Sequence, residues 1–457
     1  MKRLLYLILA VILACTAALY TGCGKDDGVT TAPPVPVDLV NGEGKAVYRI
    51  VRADKINVNA KDEVTAFKND LESVTGTELD LVTDVLSEGE SLDSVSGIYE
   101  ILVGRTNRPE SIEAVKGLTE NDYVIRVTGN KIVIVGGSDL MTRRAMDAFL
   151  EIVGDENGSA LKSNTDIKKT IERGKSLVAL TNQSKWYVEV YDISTGVLDE
   201  SSLVWSYKMP HSNIAGVKLR HSEKHGDVML AVSGSRYGCM VSYPEGKVVW
   251  STEAAASNPH SIELLPGGVV AIASSDGNEV RFFKTDEKTS RSPDAKMSLA
   301  DAHGVLWDAE REVLWAVGRN VLTAYKVKIN GDGTLTVSEE SSLRAEIPTG
   351  SAHDLAPVYG DKNQLWITTG AHVYRYNKAE RTFSISYDGN EIVDRSTVKG
   401  IGNFENGDIV YIFPDGQYQS WTSKSAYILK KDADSYERIT SEDGDFYKIR
   451  VWEAKYQ

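Results

Sequence analysis

Three histidines occupy the same position of an internal repeat in this sequence. They end the segments NPH, DAH and SAH, and each segment is followed by a turn and an apolar, strand-like run. The chain has seven histidines in 457 residues, so three at one repeat position indicate a shared role. Imidazole exchanges protons near neutral pH and binds transition metals. We therefore predict that His260, His303 and His353 transfer protons or hold a metal ion.

Weaker copies of the repeat extend the series in both directions. The aligned residues are Ala215 before the first histidine and Lys399 after the third, which gives spacings of 45, 43, 50 and 46 residues. The segment around Tyr447 continues the series 48 residues later. A lysine of lowered pKa can transfer a proton, and a tyrosine adds a phenolic donor. The candidate catalytic residues are His260, His303, His353, Lys399 and Tyr447.

The repeat length predicts the fold that positions these residues. A propeller blade of four antiparallel strands needs about 40 to 50 residues. The strand-like runs at 177–181 and 187–191 lack a preceding inner strand, and the run at 446–451 lacks a following one. Pairing of these fragments completes a sixth blade and removes exposed edge strands. The sequence therefore predicts a six-bladed β-propeller over residues 174–457, with the aligned residues around one rim of its channel.

Loops between the second and third strands of the blades return to the same rim. They bring Arg236, Arg319 and His372 there, and we predict these residues to bind substrate. The alternative is that the repeated histidine only hydrogen-bonds a neighbouring blade. Tryptophans that could stack on sugar rings are Trp186, Trp205, Trp307 and Trp421, whereas Trp315 and Trp366 lie in apolar strands and are expected in the core.

Residues 45–173 alternate between strand-like and helix-like patterns, which predicts a small α/β sandwich. The segments YEILVGRTN at 99–107, DYVIR at 122–126 and IVIVGG at 132–137 resemble the accessory N-terminal α/β domain of several glycoside hydrolases. That domain carries no catalytic residue in those enzymes. The resemblance therefore implies a carbohydrate setting and transfers no site. The predicted fold class is mostly β, a propeller preceded by this α/β domain.

Residues 1–22 have the layout of a secretory signal peptide, with basic residues, an apolar run and small residues before Cys23. The YTGC segment resembles a bacterial lipobox, and the earlier ILAC segment ending at Cys15 is an alternative. The resemblance implies that Cys23 is acylated and that residues 23–44 form a flexible tether. The following GKDD segment resembles a signal for export to the outer face of the outer membrane. We therefore expect a cell-surface lipoprotein that meets the membrane through its lipid anchor only.

Charge and motifs narrow the function further. The net charge of −14 argues against nucleic acid or anionic lipid headgroups as partners. The sequence has no phosphate-binding loop, dinucleotide fingerprint, nucleophile elbow or EF-hand loop. We therefore look to extracellular glycans, a polysaccharide or an oligosaccharide, as the partner.

Three classes of function compete for the predicted rim. A polysaccharide lyase needs a cation, a base and an acid, which Arg236, Arg319 or Lys399, a histidine and Tyr447 supply. A metal-dependent enzyme would use the three imidazoles for a divalent metal cofactor such as zinc. The segment PHSIELLPGG at 259–268 is also similar to repeats of bacterial arylsulfate sulfotransferases, in which a histidine accepts the sulfuryl group. The third class is glycan binding without catalysis.

As a whole, the chain resembles an uncharacterised group of gut-bacterial surface lipoproteins that place a six-bladed propeller behind a glycoside-hydrolase-like accessory domain. This resemblance implies location and architecture, and it leaves open whether the protein is an enzyme. We predict a surface lipoprotein that binds or processes a glycan at the channel rim. A purely structural or protein-interaction propeller is the remaining alternative.

Overall fold

The computed structural model describes residues 33–54, 58–119, 121–154, 161–171, 176–415 and 419–454. The predicted signal peptide and the predicted lipidation site Cys23 lie outside these residues. Within the described ranges, no helix combines the length and apolarity needed to cross a membrane.

The N-terminal region is one mixed six-stranded sheet with helices. Its elements, in chain order, are β1 (Arg49–Arg52), α1 (Val58–Thr75), β2 (Leu81–Thr83), α2 (Leu92–Val95), β3 (Glu100–Val103), α3 (Pro109–Ala114), β4 (Asp122–Thr128), β5 (Lys131–Gly136), α4 (Asp139–Gly154) and β6 (Asp166–Thr170). The strand order is β2-β1-β3-β5-β4-β6. Strands β2, β1, β3 and β5 are parallel, and the predicted hairpin adds β4 antiparallel to β5.

The rest of the described chain consists of short strands joined by turns and loops, with one short α-helix. The first half contains β7 (Leu177–Asn182), β8 (Tyr187–Asp192), β9 (Leu203–Lys208), β10 (Ile214–Ser222), β11 (Gly226–Ser233), β12 (Tyr237–Ser242), β13 (Val248–Thr252), β14 (Pro259–Leu265), β15 (Val269–Ser274), β16 (Glu279–Lys284), β17 (Thr289–Ser290) and β18 (Ala295–Ser298). The second half contains β19 (Ala302–Asp308), β20 (Val313–Gly318), β21 (Val321–Ile329), β22 (Leu335–Glu339), β23 (Ala345–Glu346), β24 (Asp354–Val358), β25 (Asp361–Thr368), β26 (Val373–Asn377), β27 (Thr382–Ser384), α5 (Asn390–Val393), β28 (Gly400–Asn403), β29 (Ile409–Ile412), β30 (Ser425–Leu429), β31 (Glu437–Thr440) and β32 (Phe446–Val451).

These strands form six sheets, the blades of a propeller. Blade 1 contains β10–β13 with β17, blade 2 β14–β16 with β18, blade 3 β19–β22 with β23, blade 4 β24–β27 and blade 5 β28–β31. Blade 6 has the order β32-β7-β8-β9, so the C-terminal strand is the inner strand of a sheet whose other strands come from residues 177–208. The predicted mostly-β fold class, the six blades and the closure by the chain ends are confirmed. Trp315 and Trp366 are fully buried, as expected for the core.

The N-terminal domain contacts the propeller at blade 6. Arg143 of α4 forms an ion pair with Glu200, with 2.6 Å between Nη2 and Oε2, and Arg144 donates a hydrogen bond to the carbonyl oxygen of Leu203 at 2.6 Å. Glu200 and Leu203 lie where β8 has ended and β9 begins. This edge of blade 6 is opposite to the edge at which the inner strand begins. The helix is therefore joined to the end of the blade remote from the aligned repeat residues.

In four of the six blades, the aligned repeat residue lies in a bulge at the start of the inner strand. The pairing of inner and second strands skips Ala215 in blade 1, His260 in blade 2, His303 in blade 3, and Tyr447 with Lys448 in blade 6. A bulge leaves a residue out of the ladder and re-aims its side chain. The bulges explain how residues on inner strands come to face the mouth of the channel.

The residue after the aligned position packs against the inner strand of the next blade. It is Gly216 in blade 1, where an added Cβ would lie 2.5 Å from the carbonyl oxygen of His260. It is Gly304 in blade 3 and Gly400 in blade 5, with similarly close contacts to blades 4 and 6. In blade 2 it is Ser261, whose Oγ accepts a hydrogen bond from the Val305 amide at 3.2 Å. In four of the six blades, a small residue at this position allows the close approach of neighbouring inner strands.

We predict that Gly216→Ala lowers the free energy of unfolding by about 1–3 kcal/mol, because the methyl group would clash with the backbone of blade 2. The matched control is Gly331→Ala, since a Cβ there meets nothing within 4 Å. Urea unfolding of both variants measures the effect. Equal stability of the two variants would show that the close approach of blades 1 and 2 is not a constraint.

Candidate functional site

The five predicted catalytic residues lie together at one end of the channel. The ring centroids of His260 and His303 are 4.2 Å apart, and those of His303 and His353 are 5.3 Å apart. Tyr447 and Lys399 complete the group through hydrogen bonds to the first and third histidines. We call these five residues the inner ring. Ala215, the aligned residue of the intervening blade 1, has a small side chain. Tyr447 of blade 6 extends past it to His260 of blade 2.

His303 is oriented by Asp301, which lies two residues before it. Nδ1 of the imidazole lies 2.9 Å from the Asp301 carbonyl oxygen and 3.3 Å from its carboxylate Oδ1. A carbonyl oxygen only accepts hydrogen bonds, so Nδ1 carries the proton and Nε2 of the neutral ring has a free lone pair. Asp301 has a φ of 53°, and this left-handed turn directs its backbone toward the imidazole. The pair has the arrangement of a general base held by a carboxylate.

Tyr447 and His260 form the second proton-transfer pair. The phenolic oxygen of Tyr447 lies 3.1 Å from Nδ1 of His260, and only 4% of Tyr447 is exposed. Burial raises the pKa of the Tyr447 phenol, so it stays protonated at neutral pH and can donate. Burial, followed by the neighbouring His303 and cations, lowers the pKa of His260 well below its usual range. A neutral acceptor therefore faces a protonated donor.

Lys399 and His353 form the third pair. The ammonium Nζ of Lys399 lies 3.2 Å from Nε2 of His353, and an ammonium group can only donate. The proton of the neutral imidazole is therefore on Nδ1, which is buried and has no hydrogen-bond partner within the described residues. Burial lowers the pKa of Lys399 to about 8, and burial together with Lys399 lowers the pKa of His353 to about 3. An unpaired buried donor favours binding of an acceptor.

Two buried carboxylates beneath the inner ring hold four cations. Asp354 accepts hydrogen bonds from Lys448 Nζ at 3.1 Å and from Arg450 Nη1 at 2.7 Å. Glu263 accepts hydrogen bonds from Lys218 Nζ at 2.9 Å and from Arg220 Nε at 2.7 Å. Lys448 also donates to the backbone carbonyl of His353 at 2.7 Å. The carboxylates are at most 1% exposed, so the charges interact in a medium of low polarity.

The channel contains more cations than anions. Among the described residues, the two carboxylates face four basic side chains, and at the mouth Lys399 adds a fifth cation while Asp301 adds a third carboxylate. Burial and then the nearby Arg450 and Lys399 lower the pKa of Lys448 to about 7, although Asp354 opposes the shift. A chain with a net charge of −14 thus places an excess of positive charge around its inner ring. Such a site attracts an anionic group.

A family model described as "Family of unknown function (DUF6528)" matches residues 171–421. The chain belongs to the DUF6528 family. No curated protein matches it. Among solved structures it is similar to one described as "Crystal structure of WD40 beta propeller domain of Doa1", with 15% sequence identity and a TM-score of 0.39 over 62% of this chain and 84% of that chain.

The residues predicted to bind substrate lie in the loops that return to the rim of this DUF6528 propeller. The Arg319 amide donates to the Asp301 carbonyl oxygen at 3.3 Å, which places Arg319 beside the inner ring. Arg236 is exposed, and its Nε donates to the carbonyl oxygen of Ala255 at 3.0 Å. His372 is paired with Asp394, with 3.0 Å between Nδ1 and Oδ2.

The imidazoles of the inner ring do not favour the predicted metal site. No group of three histidine, cysteine, aspartate or glutamate side chains in the described ranges is placed to hold a metal ion. One ring nitrogen of each of His260, His303 and His353 is already hydrogen-bonded. One of these partners is the Lys399 ammonium, which would repel a cation. We therefore derive no step through a metal.

The predicted tryptophan platforms divide into two groups. Trp186 and Trp421 are 42% and 43% exposed. The prediction for Trp205 is wrong, because it is 2% exposed and packs against the rings of Tyr207, Tyr243 and Trp452. Trp307 lines a cleft with His221 and Arg220 at the other end of the channel.

Sequence reasoning missed Asp301 and the buried ion pairs. Residues two before the aligned position adopt a left-handed φ in five blades, and they are Asn213, Asn258, Asp301, Ser351 and Thr397. Only Asp301 among these five is acidic, and this was the signal that could have identified it. Glu263 and Asp354 occupy different offsets from the aligned position, so the repeat does not reveal them.

We predict that His353 makes stability depend on pH below neutrality. Its pKa is about 3 in the folded protein against 6.5 ordinarily, so the unfolded chain binds the proton first as the pH falls. The contribution of His353 to the free energy of unfolding is therefore fully present above about pH 6.5 and is lost progressively as the pH falls toward 3. In His353→Gln, the loss of unfolding free energy between pH 7 and pH 5 should be smaller than in the wild type. His221→Gln, at a 63% exposed side chain, should retain the wild-type dependence, and an unchanged His353→Gln would contradict the assignment.

Proposed function

We propose that this protein binds an acidic glycan at the rim of the propeller channel and is built to process it by proton transfer. The observation that carries the proposal is the inner ring itself. The Asp301–His303 pair faces the His260–Tyr447 pair across 4.2 Å, beside the Lys399 ammonium. A base (His303), an acid (Tyr447) and a cation (Lys399) therefore lie together at the mouth of the channel.

The charge of the channel supports an acidic ligand. A uronate or sulfate group at the mouth would pair with the Lys399 ammonium, which lies beside His353. Such an anion would compensate the excess of cations below the ring. The resemblance of the N-terminal domain to accessory domains of glycoside hydrolases also implies a carbohydrate partner.

The reaction that fits these groups is β-elimination from a uronic acid unit. Lys399 and Arg319 would neutralise the carboxylate, and Nε2 of His303 would take the proton from C5. The electrons of that C–H bond form the C4–C5 double bond while the C4–O bond breaks. Tyr447 gives its proton to the leaving oxygen. The products are an unsaturated sugar and a new free end, with no other reactant consumed.

A panel of neutral, uronate-containing and sulfated polysaccharides tests the proposal. Gel retardation measures binding, and ultraviolet absorbance measures the unsaturated product. We expect the wild type to bind acidic polymers selectively, Lys399→Ala to weaken binding about tenfold, and His303→Ala to bind but form no product. His221→Ala, at the other end of the channel, is the matched control.

Two results would decide against parts of this proposal. Binding without product in the wild type would leave the glycan-binding function and remove the lyase reaction. Equal binding of neutral and acidic polymers, or none, would overturn the proposed acidic-glycan site and favour a structural or protein-interaction propeller.

We also propose that the protein is anchored to the cell surface through Cys23, and this proposal rests on the leader sequence. Expression with a labelled fatty acid should give a labelled, membrane-associated protein. Cys23→Ala should abolish the label and release the protein from the membrane fraction, whereas Cys15→Ala should do neither. Retention of the label in Cys23→Ala would contradict the assignment.

A further inference from the structure

Two exposed tryptophans stand on the same rim as the inner ring. Trp186 lies in the turn between β7 and β8 of blade 6, and Trp421 lies in the loop between β29 and β30 of blade 5. The residue after Trp421, Thr422, donates a hydrogen bond to the carboxylate of Asp445 at 2.7 Å. Asp445 directly precedes the inner strand that carries Tyr447. Both tryptophans are therefore attached to the part of the rim where the propeller closes.

The indole of Trp421 is held in place by a buried amide. Its Nε1 donates to Oε1 of Gln183 at 3.1 Å, and Nε2 of Gln183 donates to the carbonyl oxygen of Ile214 at 3.1 Å. Gln183 is 8% exposed, so this link is shielded from water. Ile214 is the neighbour of Ala215, the aligned residue of blade 1. Because the polar edge of the indole is already hydrogen-bonded, its exposed surface is mainly the apolar face.

Trp186 is presented by a strained turn. Its φ is 65°, a conformation that costs about 1–2 kcal/mol for a residue with a Cβ. The turn is fixed by Asn182, whose Oδ1 accepts hydrogen bonds from the Lys185 amide at 3.2 Å and from Ser184 Oγ at 2.9 Å. The Met209 amide also donates to the Trp186 carbonyl oxygen at 2.8 Å. A glycine would adopt this backbone at lower cost, so the exposed indole points to a function of the side chain.

We propose that Trp186 and Trp421 form a stacking subsite for a pyranose ring of the glycan whose acidic unit occupies the inner ring. This inference rests on the proposed function and extends it from one sugar unit to a chain of several. Exposed aromatic faces held on ordered turns suit the C–H face of a sugar. The exposed polar side chains beside them, Lys185 and Asp443, suit its hydroxyl groups. The ligand class is therefore an acidic oligosaccharide rather than a monosaccharide.

Calorimetric titration with a monosaccharide and a hexasaccharide tests the subsite. Both are prepared from the uronate or sulfated polymer that binds in the polysaccharide panel. We expect Trp186→Ala and Trp421→Ala each to weaken hexasaccharide binding about 5- to 10-fold and to change monosaccharide binding less than twofold. Trp421→Phe keeps an aromatic face without the N–H donor and should retain most of the affinity. Tyr99→Ala, at a 47% exposed aromatic of the N-terminal domain, is the control.

The outcomes separate this inference from the proposed function. Unchanged hexasaccharide binding in both alanine variants, with loss of binding in Lys399→Ala, would overturn the subsite and leave the inner-ring function standing. An equal loss for monosaccharide and hexasaccharide would also overturn it, because the tryptophans would then support the fold or the inner ring. Failure of the wild type to bind any acidic polymer would remove the proposed function and the subsite together.

Discussion

Two buried carboxylates form ion pairs between the inner strands of the propeller, and the arrangement of the blades depends on these ion pairs. Asp354 in blade 4 binds Lys448 and Arg450 of blade 6 and accepts a hydrogen bond from the Ile401 amide of blade 5 at 3.2 Å. Glu263 in blade 2 binds two cations of blade 1, one of which, Lys218, also donates to the Val305 carbonyl of blade 3. Each carboxylate thus joins three blades. Removal of either would leave buried cations unpaired, which is strongly unfavourable.

Contacts between neighbouring inner strands also determine where the inner ring lies. The position after each aligned residue is used for close packing between blades, by Gly216, Gly304 and Gly400, or for a hydrogen bond. In blades 1, 2 and 3, where that residue points between blades, the residue before it is left out of the ladder by a bulge and faces the mouth. Packing below the ring is therefore the physical cause of the convergence of side chains above it.

The sequence repeat predicted the propeller and the grouping of the inner ring. It could not predict the hydrogen-bonding partners of these side chains or the buried ion pairs. A histidine at the same repeat position in three consecutive blades, 43 and 50 residues apart, indicates neighbouring positions around a closed ring. Closure by the chain ends follows from two incomplete parts of one blade. The protonated nitrogen of His303 could not be inferred, since it depends on the backbone carbonyl of Asp301. The burial of Trp205 depends on Tyr243 and Trp452, which are distant in the sequence. Ion pairs that link non-adjacent blades break the period of the repeat and leave no pattern in it.

The local charge of the mouth explains how an acidic protein can recognise an acidic ligand. Charges on the outer surface are screened by salt within about 10 Å, whereas cations buried in the channel are screened much less. The pKa values of Lys399, Lys448 and Lys218 are lowered to about 8, 7 and 8, mainly by burial. A bound anion would favour their protonated forms, so binding and proton uptake would be coupled. Neutral imidazoles beside these lysines add hydrogen-bonding groups at little electrostatic cost. The mouth therefore combines attraction of an anion with an imidazole base and a phenolic acid.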